Sequence, residues 1–99
     1  MSSPFSDLSQ AKRRPALVVA ELGGDDLILC QITSQTLSDG HAVLIDDDDF
    51  ESGGLRQVSY VRPNRLFTAD EHIILYAAGH LKAPKTREIV AKIVEILQR

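Results

Sequence analysis

Ninety-nine residues make one domain, long enough to bury a modest core and too short for two. At 43% hydrophobic and 25% charged residues the composition is that of a soluble globular protein; no apolar run reaches membrane-spanning length and no signal-like segment opens the chain, so a cytoplasmic protein without membrane contact is expected. A net charge of −3 argues against broad, salt-driven nucleic-acid binding, and Cys30, the single cysteine, leaves no internal disulfide and no cysteine-based metal site.

The first eleven residues are polar and Ser-rich, without clear periodicity. Lys12-Arg13-Arg14-Pro15 then leads into the apolar run Ala16-Leu17-Val18-Val19. Proline restricts the residue before it to extended backbone and is tolerated at the first position of a strand. Arg14 is thereby expected at a strand mouth, where its guanidinium forms a fork for phosphate. Residues 15–20 and 27–33 read as two strands joined across Gly23-Gly24-Asp25-Asp26. Their continuous apolar runs predict cover on both faces. Ser38-Asp39-Gly40 signals a turn, and residues 41–45 a third strand. Asp46 to Asp49 with Glu51 contribute −5 of the overall −3, leaving +2 for the rest of the chain. That run lacks the spaced ligands of a calcium loop and reads as solvated.

Residues 55–61 are again β-like, Pro63 predicts a bulge or edge, and residues 65–68 resume the strand. Residues 73–81 read as a further strand, bent at Gly79. From residue 84 the period changes: Ile89, Val90, Ile93, Val94, Ile96 and Leu97 form the stripe of an amphipathic helix. Pro84 suits its first turn, with Glu88–Lys92 and Glu95–Arg99 as supporting pairs. Five or six short strands followed by one helix predict a mainly β (α+β) fold, a small antiparallel β-barrel with a C-terminal α-helix. His41, His72 and His80 are not spaced as metal ligands. Gly53 and Gly54 have no phosphate-loop context, so neither metal nor cofactor is expected.

Three segments acquire a shared meaning when taken in order: Lys12-Arg13-Arg14-Pro15-Ala16-Leu17-Val18-Val19, Ile28-Leu29-Cys30-Gln31-Ile32-Thr33-Ser34, and Gly53-Gly54-Leu55 followed by Ser59-Tyr60-Val61-Arg62-Pro63-Asn64-Arg65-Leu66-Phe67-Thr68. With the lead-in Pro4-Phe5-Ser6-Asp7-Leu8-Ser9, they resemble the MazF/PemK family of toxin ribonucleases over nearly the whole chain. The resemblance implies an SH3-like barrel working as a homodimer. It also implies a metal-independent, sequence-specific endoribonuclease that cleaves single-stranded RNA, inhibits growth, and is held by a cognate antitoxin through which alone DNA is met. Relatives usually begin with an extra apolar strand; Met1-Ser2-Ser3 stands where that strand should end, so residues 1–99 read as one toxin domain without it.

Arg14 matches the family arginine on the scissile phosphate, Thr33 with Ser34 the RNA-lining end of the second strand, and Arg62 an arginine acting as general acid. Arg13, Asn64 and Arg65 are expected to contact RNA. Asn64 falls where some relatives carry a catalytic aspartate, and an amide cannot serve as the base. Asp7 is the candidate replacement. Tyr60 and Phe67 are candidate stacking platforms, although both suit a core. The alternative reading is a toxin-fold module that binds an antitoxin or another protein target without cleaving RNA. A generic SH3-like interaction domain is a third.

Overall fold

Short apolar runs in the first two thirds of the chain and one helical stripe at its end build a single curled sheet closed by a helix. The computed structural model describes residues 2–6, 13–36 and 39–99, with side chains from residue 14 onward. In chain order the elements are β1 (Ser2–Ser6), β2 (Arg13–Glu21), β3 (Asp26–Thr33), β4 (Val43–Ile45), β5 (Phe50–Gly53), β6 (Ser59–Asp70), β7 (Gly79–Leu81) and α1 (Ala83–Leu97). The strands form one antiparallel sheet in the order β4-β6-β3-β2-β1-β7-β5, a half-barrel.

The β2–β3 hairpin forms as expected, its turn passing through Gly24 at φ 80°, a left-handed conformation that glycine adopts without steric cost. Both faces of this hairpin are covered. Leu17, Cys30 and Ile32 join Val43, Ile45, Phe50, Val61 and Leu81 beneath Ile89 and Ile93 of α1, whereas Ala16, Leu27 and Leu29 pack with Val18, Phe67, Ala69 and Ile74 on the other face. Helix α1 starts with Pro84 in its first turn, where a missing N–H costs nothing. Of the two expected ion pairs Glu95–Arg99 forms, at 3.5 Å, whereas Glu88 pairs with Lys85 at 3.0 Å and Lys92 turns to Glu95 at 3.6 Å.

Several expectations are corrected. Residues 2–6 form a strand although they lack apolar periodicity; the edge of β2 templates it, with Pro4 opposite Pro15 and Phe5 opposite Arg14. β4 starts at Val43 and not at residue 41, because Asp39 Oδ1 accepts the N–H groups of His41 (2.9 Å) and Ala42 (3.2 Å) and holds both in a turn. The acidic run is a 3-10 turn over Asp47–Asp49, closed by its own carboxylates: Asp46 Oδ1 accepts from Asp48 N–H and Asp49 Oδ2 from Asp46 N–H. Lys85 lies 3.7 Å from Asp49, so the run anchors the start of α1. The unexpected β5 follows at once.

Only residues 79–81 of the strand predicted over 73–81 are extended in a ladder. A 3-10 turn at Glu71–Ile73, a single bridge at Ile74 and a loop over 75–78 precede them. Gly79 is a pairing point, with Gly53 opposite it on β5 and Ser2 on β1. The two glycine backbones approach closely: a Cβ on Gly79 would lie 2.6 Å from Ser52 O and 2.7 Å from Gly54 N.

The bulge expected at Pro63 is present in β6. Arg62 pairs with Gln31 and Leu66 with Cys30, leaving Pro63, Asn64 and Arg65 without opposite partners.

Candidate functional site

Register brings the candidate residues to one rim. Ala16 lies opposite Gln31, so the mouth of β2 and the end of β3 share an end of the hairpin. β6 flanks β3 on its other side, with Gln31 opposite Arg62 and Thr33 opposite Tyr60. Across from this rim run residues 54–57 and 76–78, tied together by Gly54 N–H donating to Ala78 C=O at 3.1 Å. Between them lies an open groove of about 860 Å³.

Arg14, Arg56 and Arg62 supply the charge of this groove. Gln31, Gln35, Gln57, Thr33, Ser34 and Ser59 line it with neutral polar groups, and Tyr76 stands at its far side. Among the described residues that line it there is neither a carboxylate nor an imidazole. An acidic protein thus presents a locally cationic groove, suited to an anion.

Arg14 is exposed, and the half-buried Pro15 holds its backbone extended. Arg62 is more constrained. Its side chain is 19% exposed, and Nη2 donates to Asp39 Oδ2 at 3.4 Å. Its Nε is buried and has no partner among the described residues. The Asp39 carboxyl is held below the ordinary carboxylate range chiefly by the His41 amide, which together with the Ala42 amide and Arg62 outweighs burial. Asp39 therefore both closes the turn before β4 and orients Arg62. Thr33 Oγ1 accepts from Gln35 N–H at 3.2 Å, fixing the bend after β3. Ser59 Oγ donates to Gln57 C=O at 3.0 Å, fixing the opposite bend.

Of the residues singled out from the sequence, Arg14, Thr33, Ser34 and Arg62 meet in the groove. Asn64 and Arg65 are exposed on the β6 bulge and do not line it. Asp7 and the Arg13 side chain lie outside the described residues. Tyr60 and Phe67 also stand apart from the groove, Phe67 packing in the second core cluster. Gln31, Arg56, Gln57, Asp39 and Tyr76 were not identified as site residues. Asp39 was legible only as a turn former. At the opposite end of the hairpin, exposed Asp25, Asp70 and His72 bring ligand atoms within 4.8 Å of one another. The histidine spacing in sequence concealed this, and the cluster shares no residue with the groove.

A curled sheet with an arginine-lined groove, free of carboxylates among its described lining residues, defines a small β protein with a cationic site. A sequence model of the PemK-like, MazF-like toxins of type II toxin–antitoxin systems matches residues 3–97, and the chain belongs to this family. Among solved structures, the Mycobacterium tuberculosis toxin MazF-mt6 superposes with a TM-score of 0.78 at 17% identity, over 98% of this chain and 95% of that one. An endoribonuclease in complex with its cognate antitoxin, from a mycobacterial species, gives 0.78 at 15% identity, over 98% and 91%. A mycobacterial endoribonuclease gives 0.76 at 15% identity, over 98% and 88%. At these identities the likeness establishes the MazF toxin fold. Curated protein sequences give no match.

Proposed function

We propose that this chain is a metal-independent, sequence-selective endoribonuclease toxin that cleaves single-stranded RNA and is restrained by a cognate antitoxin. The observation that carries this reading is the convergence of Arg14, Arg56 and Arg62 with Thr33 and Ser34 in one groove free of described carboxylates. RNA can be cut by attack of its own 2′-hydroxyl on the adjacent phosphorus. The 5′-oxygen leaves, and the products are a 2′,3′-cyclic phosphate and a 5′-hydroxyl. The barrier lies largely in the charge that builds on the phosphorane oxygens, and preorganised cations lower it.

In this reading Arg14 holds the scissile phosphate, and the Thr33 and Ser34 hydroxyls hydrogen-bond beside it. Arg62, oriented by Asp39, contributes charge and hydrogen bonds to the developing oxyanion, and water gives the departing 5′-oxygen its proton. Asp7 takes the 2′-hydroxyl proton, and Arg13, Asn64 and Arg65 extend the RNA contact beyond the groove. The molecule works as a homodimer in the cytoplasm. Among the described residues no helix is long and apolar enough to cross a membrane.

The lack of a described carboxylate or imidazole in the groove favours a second reading, a toxin-fold binder that does not cleave. Incubation of a long unstructured RNA with the purified protein in EDTA separates the two. Discrete fragments with cyclic-phosphate and 5′-hydroxyl ends, lost in a folded Arg14→Ala variant, are expected. Intact RNA from a folded dimer leaves the binder.

A further inference from the structure

Tyr76 is the one exposed Phe or Tyr side chain among the described residues, with 56% of its surface open to solvent. Its position is not that of a loose loop tip. Two residues before it, Ile74 packs into the second core cluster. Two residues after it, Ala78 C=O accepts the Gly54 N–H, and Gly79 is pinned against Gly53. The ring therefore sits in the middle of a short tether fixed at both ends, and it lines the same groove as Arg14, Arg56 and Arg62. A rigidly held, half-open aromatic face beside a row of guanidinium groups is the combination that binds single-stranded nucleic acid. The cations hold the backbone, and the ring takes the face of a base.

We propose that Tyr76 is the base-stacking residue of the groove. It receives one unpaired base of a single-stranded RNA whose phosphates lie on Arg14, Arg56 and Arg62. This rests on the RNA reading of the site and adds what that reading lacks, a reason for strand selectivity. In a duplex both faces of every base are already covered, so a ring at this position gains nothing from paired RNA. Gln57 lines the same groove, and its amide offers a donor and an acceptor to a base edge, where stacking alone does not discriminate.

The test uses a fluorescein-labelled single-stranded oligoribonucleotide with 2′-O-methyl groups. It lacks the attacking hydroxyl, so anisotropy reads binding without cleavage. A matched series has each base removed in turn. Wild-type protein is expected to lose about 5- to 140-fold in affinity at one abasic position. Tyr76→Ala should weaken binding of the intact strand by a similar factor and become indifferent to the base at that position. Tyr76→Phe should behave as wild type, because the ring and not the hydroxyl carries the contact.

Arg14→Ala keeps the two readings apart. If wild type binds, Arg14→Ala weakens binding, and Tyr76→Ala retains full affinity with an unchanged abasic profile, the stacking role is overturned and the RNA site stands. An effect of Tyr76→Ala confined to antitoxin binding also overturns it, by assigning the ring to a protein contact. If wild type does not bind the strand, or Arg14→Ala binds it equally well, both readings fall together.

Discussion

Replacing Gly79 with alanine tests the seam that holds one wall of the groove. The added Cβ would lie 2.6 Å from Ser52 O, 2.7 Å from Gly54 N and 3.0 Å from Gly53 C. All three are backbone atoms, so no rotamer change relieves the contact. Forcing a methyl into such a space costs ~1–3 kcal/mol, partly offset by the ~0.5–1 kcal/mol that alanine gains over glycine within a strand. The net is a loss of about 0.5–2 kcal/mol, which for a domain of this size lowers Tm by roughly 2–16 °C. Gly53→Ala should be worse. Its Cβ would run into Ala78 O, and its φ of +65° adds a left-handed penalty of ~1–2 kcal/mol. Circular-dichroism melts at one fixed protein concentration give the comparison. A Gly79→Ala protein melting at or above the wild-type temperature would refute the close approach.

Two further predictions concern titratable groups. The Asp39 carboxyl is depressed in the folded state, so its contribution is fully present above its unfolded value. That contribution is lost as pH falls below about 4 and through the folded value. Urea midpoints followed into acid should therefore fall less steeply for Asp39→Asn than for wild type, and equal slopes would remove Asp39 from the account. Cys30 is buried, and burial pushes its thiol up to about 11. Iodoacetamide should label it only in the unfolded protein; rapid labelling under native conditions would place it elsewhere.

Periodicity disclosed the parts of the fold that hydrophobic burial decides. The runs around Leu17 and Leu29 and the stripe through Ile89 and Ile93 each appear as the expected strand or helix, because burial of those side chains is what forms them. Ser2–Ser6 escaped notice because its position comes from backbone pairing with β2, to which a polar sequence is no obstacle. The loop before β7 departs from the expected strand for a related reason. Ile73 to Ala78 is apolar enough for a strand, yet Gly79 matters through what its missing side chain allows, a property of its spatial neighbours. The site divides along the same line. Arg14 and Arg62 could be found beside prolines at strand positions, whereas Tyr76 and Asp39 acquire roles only when loops distant in sequence meet.

The bulge in β6 has a consequence for how this scaffold tolerates change. Before it, the odd-numbered Val61 faces the cluster under α1; after it, the odd-numbered Phe67 and Ala69 face the other cluster. Three unpaired residues, an odd number, switch which side of the sheet the strand's alternating pattern serves. Because side chains alternate with period two, loss or gain of a single residue here would turn one half of β6 inside out. A change of two residues would keep both halves in phase. The segment beside Arg62 can therefore lengthen or shorten over evolution only in pairs, and sequence variation at this rim is filtered by parity before it is filtered by chemistry.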